Sequence, residues 1–170
     1  MYSAGVKGGA EWWKTVLDRL GAPLGYDAGP GATPEQLEEL EVRLGRPMSA
    51  SFKALLQTSN GFPHLSRRLG RVLAAAEVDW YRNRHPGEAR AIEELMKSDS
   101  ANRRPFADPK WTVDIPLHAI EIVEPFEGFT LLLHPRRGRG GGEWDTWLLK
   151  ANGATRFPTL ADFAEYEMRS

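Results

Sequence analysis

The chain reads as an α+β protein, a single domain with an antiparallel β-sheet meander and helices packed mainly on one face. Three observations predict this. Apolar residues recur at helical spacing through the first half, fall into short strand-like runs between residues 118 and 157, and return to helical spacing at the end. Helices first, strands next and one helix last is the order of an antiparallel meander, not of the βαβ units that build parallel sheets. With 170 residues, 41% apolar and 26% charged, the chain can bury one core, and disorder is not the default.

Residues 11–20 form the first helix, with Trp12, Trp13, Val16, Leu17 and Leu20 at helical spacing and Gly21 as its stop. The stretch "GAPLGYDAGPGA" follows as a loop, so residues 1–32 are an N-terminal helix and Gly/Pro-rich loop ahead of a main domain over 33–170. Together they are expected to make one compact unit. In the second helix Thr33 is the N-cap, Pro34 occupies the first helical position and Gln36 completes a capping box. Leu37, Leu40 and Leu44 form its apolar stripe, Gly45 stops it and Pro47 blocks continuation. Ser49 caps a third helix that turns Phe52, Leu55 and Leu56 inward, and Asn60-Gly61 ends it, since both residues tolerate positive φ.

Residues 71–74 read as a short strand, "AEVDWYRNR" as the start of a helical turn, "GEARAIEELMKSD" as a helix and "SANRRPFADPKW" as a loop. His118, Ile120 and Ile122 then alternate with Ala119, Glu121 and Val123, the period of a strand. "TLLLH" is a second strand of the meander, "EWDTWLL" a third and "TRFP" a short edge strand that the proline ends. Thr159 caps a last helix through Phe163 and Tyr166.

Composition narrows the chemistry. The absence of cysteine removes disulfides, thiolate nucleophiles, thiolate zinc sites and iron–sulfur ligation. A formal net charge of −1 predicts no bulk attraction to nucleic acid or to an anionic membrane. No apolar run approaches the roughly 18 residues of a spanning helix, and "MYSAGVKGGAEWW" lacks the apolar core of a signal peptide, so a soluble, cytoplasmic protein is expected. Charge is nevertheless uneven. "TPEQLEELEVRL" is acidic, while arginines gather at Arg67, Arg68 and Arg71, at Arg103 and Arg104, and at Arg136, Arg137 and Arg139.

No catalytic, cofactor-binding or metal-ligating residues are expected. His64, His85, His118 and His134 fall in separate segments without an HExxH or HxxxH pair, and neither a GxSxG elbow nor a P-loop occurs. Glu143 and Asp145 stand two apart on a strand and share a face, an arrangement able to do acid–base work but equally that of a solvent-facing sheet surface. A deep pocket holding two or more histidines or carboxylates would point to an enzyme.

The segment "HPRRGRGGGEWDTWLL" reads as two strands and their connection. An RNA-binding role would rest on many repeats in a disordered tail, and a phosphate cradle would need a helix where an alternating strand follows. Residues 135–142 make an eight-residue loop, longer than the about 2–5 usual in hairpins. The surplus is either unselected or an adjustable basic finger for an acidic patch on a partner. Trp144 lies on the opposite strand face with Thr146 and Leu148 and is core if it packs under the helices, in which case Trp147 shares the outer face with Glu143, Asp145 and Leu149. An outward Trp147 beside acidic groups has the composition of a protein interface, unless another element covers it. Trp80 either anchors a helix on the core or belongs to a binding surface.

The stretch "ATPEQLEELEVRLGRPMSASFKALLQTSNGF" resembles the opening of the SMI1/KNR4 family, the SUKH superfamily, whose pattern runs IxxxExxLGxxLPxSYxxFLxxxNGG. Leu37, Glu41, Leu44, Gly45, Ser51, Phe52, Leu55, Leu56, Asn60 and Gly61 stand in the matching places. "TLLLHP" with "GEWDTWLL" is similar to the family's strand–loop–strand segment, and "RFPTLADF" to its closing strand and helix. The chain departs from the pattern at Arg46-Pro47-Met48, at Phe62 and at His134, which replaces a frequent Asn. The resemblance implies a non-enzymatic binding module without cofactors. Bacterial members are largely immunity proteins that bind and block a cognate toxin, and eukaryotic members are regulatory interaction proteins. An immunity protein is therefore the leading expectation, with Trp80, Arg136, Arg137, Arg139, Glu143, Asp145 and Trp147 as candidate partner contacts. A regulatory scaffold with a non-toxin partner is the alternative, ahead of a nucleic-acid binder or an enzyme.

Overall fold

The computed structural model describes residues 5–98, 110–135 and 142–170. It is an α+β fold. Helices α1 (Ala10–Gly21), α2 (Pro34–Leu44) and α3 (Ala50–Thr58) come first. Strand β1 (Asp79–Trp80) leads straight into α4 (Tyr81–Arg84) and α5 (Pro86–Met96). Strands β2 (Ile120–Glu121), β3 (Thr130–His134), β4 (Asp145–Lys150) and β5 (Gly153–Phe157) follow, and α6 (Leu160–Arg169) closes the fold. The five strands lie side by side in chain order, each antiparallel to its neighbour. No helix among the described residues is long and apolar enough to cross a membrane.

Local signals set the helix ends. The Thr33 hydroxyl accepts the Gln36 N–H at 3.2 Å, and the Gln36 side chain accepts the Thr33 N–H at 2.9 Å, the reciprocal pair of a capping box. Gly45 closes α2 at φ +72, a left-handed conformation that glycine adopts without Cβ strain. Thr159 caps α6 by accepting the Asp162 N–H at 3.1 Å. Helix α1 ends at Gly21 as expected, though not through a left-handed conformation. Gly21 has φ −83 and runs on into a 3-10 turn, Ala22–Leu24, that Gly25 ends at φ +71. Position 21 demands glycine for closeness instead, since a Cβ there would lie 2.3 Å from the Tyr26 carbonyl.

The strand expected over residues 118–123 pairs along β2 only. His118 lies in a 3-10 turn, Ile115–His118, and beyond β2 the Ile122 carbonyl accepts the Leu73 N–H at 2.9 Å. Residues 71–74, expected as a strand of their own, supply Val72, which bridges Phe62 on one side and Val123 on the other. The third strand of the meander starts at Asp145, so Glu143 and Trp144 precede it, and the edge strand starts at Gly153.

Helices α1, α2, α3 and α6 cover one face of the sheet. Trp13, Leu17, Leu40, Phe52, Leu55 and Phe163 meet Ile120, Leu131, Leu133 and Leu148 there. Pairing Leu131 with Leu148 and Leu132 with Trp147 sends alternate residues to opposite faces. The second face holds a smaller cluster of Trp111, Ile115, Ala119, Leu132 and Trp147. Helix α5 adds little, with Ala89 its only buried residue.

Candidate functional site

The "GEW" segment, which leads into β4, works inside the molecule. Gly142 (φ +65) accepts the Ala50 N–H on its carbonyl. The Glu143 carboxylate accepts the Ser51 N–H at 3.1 Å, the Ser51 hydroxyl at 2.8 Å and the Ser49 hydroxyl at 3.0 Å. Helix N-termini carry unpaired N–H groups and a partial positive charge, so a carboxylate fits there. The expected Ser49 cap is replaced by this arrangement, because the Ser49 hydroxyl donates to Glu143 and makes no cap bond. Glu143, a candidate partner contact, is thereby a tether between the sheet and α3.

Asp145 goes elsewhere. It pairs with Arg156 at 2.7 Å across β4 and β5, and both side chains are largely covered. The two carboxylates expected to share one face therefore serve different partners, because Glu143 lies before the regular strand. Trp144 packs in the main core. Trp80 lies half-buried against it, with ring centroids 6.3 Å apart and planes 16° apart, and the Arg46 guanidinium stands 5.4 Å from the Trp144 ring centre. Trp80 thus anchors β1 and α4 on the core.

Of the two readings of Trp147, the structure takes the one in which another element covers it. Trp147 points to the second sheet face and is only 2% exposed. Trp111 meets it edge-on at 5.4 Å, and Ile115, Ala119 and Leu132 complete its cover. Trp111 comes from chain that reads as loop by composition, and Ile115 from the 3-10 turn Ile115–His118 that follows it. Arg136, Arg137 and Arg139 lie outside the described residues.

Two groupings escaped the sequence reading. Glu121 is wholly buried in β2. One of its oxygens accepts Arg84 Nε and His85 Nε2, both at 2.8 Å, and the other accepts the Thr130 hydroxyl at 2.8 Å. Arg84 also donates to the Glu77 carbonyl at 2.9 Å, and the Tyr81 ring lies 4.6 Å from that of His85. Burial pushes the Tyr81 hydroxyl pKa up, helped by the charges of Glu88 and Glu121. A buried carboxylate that fixes an imidazole is the geometry that orients a general base or a metal-binding ring. Here Arg84 shares the same oxygen, and the cluster fastens the α4–α5 junction to the sheet. The signal was available in "HAIEIVE": a charge inside an apolar strand calls for a partner of opposite charge.

The second grouping is a half-open cleft of about 330 Å³ above Trp147, lined by Lys110, Thr112, Asp114, His118, His134 and Asp145. His118 Nε2 stands 3.9 Å from the Asp114 carboxylate. The fold thus brings together two histidines that sequence spacing kept apart. Among the described residues no group of three or more His, Asp or Glu side chains is placed to hold a metal ion.

Comparison of the chain with models of known protein families gives no match, and comparison with curated proteins gives none.

Proposed function

We propose that this chain is a non-enzymatic, SUKH-like binding module that works in the bacterial cytoplasm as an immunity protein, neutralising a cognate toxin by stoichiometric contact. One observation carries the reading. Two of the segments that carry the resemblance meet in space: Ser51 of "SASF" and Glu143 of "GEW", 92 residues apart in the chain, are joined by a hydrogen bond. Gly45 and Gly61, also in the matching places, both adopt positive φ at the ends of their segments. With Glu143, Asp145 and Trp147 held by internal contacts, Arg136, Arg137, Arg139 and the half-buried Trp80 remain the candidate contacts from the original set.

Co-expression with a candidate toxin domain, to be sought in the gene immediately upstream, tests the proposal. Rescue of growth and recovery of a stoichiometric complex are expected, and failure of both would count decisively against it. A non-toxin partner recovered in their place would favour the regulatory scaffold. The histidine-lined cleft favours one further reading, an enzyme acting through His118 and His134. The double substitution His118→Ala with His134→Ala separates the two: rescue persists if contact alone neutralises the toxin, and disappears if the cleft performs chemistry.

A further inference from the structure

A second cleft, of about 600 Å³, opens between the last turn of α1, the turn at residues 65–68 and the end of α6. Leu65 is fully buried beneath it, and the half-buried Leu20 and Met168 present aliphatic surface to it. Arg19, Arg67 and Arg68 line it. Arg68 is neutralised in place, 3.1 Å from a Glu167 carboxylate whose side chain is only 7% exposed. Arg19 and Arg67 are exposed and make no side-chain hydrogen bond or ion pair among the described residues. Four other arginines among the described residues are held by partners. Arg43 holds the Val78 carbonyl, Arg71 holds Glu77 and Glu124, Arg84 holds Glu121, and Arg156 holds Asp145. With the Arg68–Glu167 pair cancelling, two guanidinium charges face a cleft whose lining mixes the aliphatic Leu20, Leu65 and Met168 with Ser66 and Ser170.

We propose that this cleft docks an acidic segment of a protein partner, with carboxylates on Arg19 and Arg67 and an aliphatic side chain against Leu20, Leu65 and Met168. The guanidinium fork matches a carboxylate in bidentate geometry. A polar rim around an apolar floor is the anatomy of a protein interface. A nucleic-acid groove would instead carry a row of cations along a phosphate backbone and aromatic platforms for bases, whereas no aromatic residue lines this cleft. The inference rests on the binding-module reading and names the partner-facing surface that reading leaves open.

The test uses the full chain carrying Arg19→Glu and Arg67→Glu together. The control carries Arg82→Glu and Arg90→Glu, two further exposed arginines with no side-chain partner among the described residues. Both variants change net charge equally, and equal thermal midpoints establish that both fold. Against the candidate toxin domain, the first is expected to weaken the complex by about tenfold or more, with a flatter salt dependence, and the control by about twofold or less. Equal loss in the two variants, or none in the first, would overturn the proposal while leaving the immunity reading intact. If the wild-type chain binds no toxin at all, the immunity reading fails by itself. The cleft is then probed with a synthetic peptide of alternating Glu and Leu, followed through the arginine Nε–H signals in NMR. Shifts at Arg19 and Arg67 support the cleft, and unmoved signals overturn it. Binding of an oligothymidylate that the Arg19/Arg67 variant loses would also overturn it, in favour of nucleic acid.

Discussion

Glu121 and Glu143 each fasten a helical segment to the sheet, but their surroundings differ. Glu143 stands at the entrance to β4, retains some exposure and, among the described residues, meets neutral donors: the Ser51 N–H and the hydroxyls of Ser49 and Ser51. Glu121 has no exposure and meets a guanidinium, an imidazole and a hydroxyl. Helix N-terminal donors suffice for a carboxylate that keeps part of its hydration. A carboxylate with none needs a countercharge, because the interior compensates poorly for lost water. The lesson concerns specificity. The α3 joint can form wherever a helix N-terminus meets a carboxylate, whereas the β2 joint fixes which helix junction lies where.

The largest effect is expected from Glu121→Ala, which strands Arg84 and His85 beside a cavity. We expect a loss of about 3–5 kcal/mol in urea unfolding, and a loss below about 1 kcal/mol would erase the distinction drawn above. Glu143→Ala should cost less, about 2 kcal/mol. Adding Ser51→Ala to it should cost little more, since both remove one joint, and strictly additive losses would show the two groups to be independent.

An exposed pair sharpens the comparison through pH. The Glu77 carboxyl is held down at about 2 by its hydrogen bonds from Arg71, while its unfolded value is near 4.5. A lowered folded pKa means the pair stabilises the fold fully above about 4.5, with the contribution lost as pH falls through about 2. The pair is more than a third exposed, so solvent screening holds it to under about 1 kcal/mol. Glu77→Gln should therefore lower the melting temperature slightly at neutral pH, and the gap from wild type should close across that acid window. A gap independent of pH would remove charge as the cause.

The smallest change is expected at Thr146, whose buried hydroxyl has no hydrogen-bond partner among the described residues, unlike that of Thr130. Thr146→Val removes an unsatisfied group while keeping the shape, and should be neutral or stabilising by up to about 1 kcal/mol. A clear destabilisation would reveal a use for that hydroxyl.

Much of the fold was legible. The capping box at Thr33 and Gln36, the stop at Gly45, the cap at Thr159 and the strand "TLLLH" all stand where the residues placed them. Of the candidate contacts, alternation correctly sent Trp144 and Trp147 to opposite faces, but it could not show that Trp111 would cover Trp147. Nor could it show that Glu143 would turn to Ser51, or that His118 and His134 would share a cleft.

The division has a physical cause. Caps, turns and apolar periodicity are settled by residues within one or two turns of each other, so the sequence by itself determined α1, α2, α3 and α6, the antiparallel order of β2 to β5 and the opposite faces of Trp147 and Leu148, but not β1, which reads as a helical turn. Partners are chosen by which distant backbone arrives, and here they lie 36 residues apart for His85 and Glu121 and 92 for Ser51 and Glu143. Only the tertiary structure could decide those pairs. It thereby turned three candidate contact residues into parts of the scaffold and left two arginines of another surface, Arg19 and Arg67, without partners among the described residues.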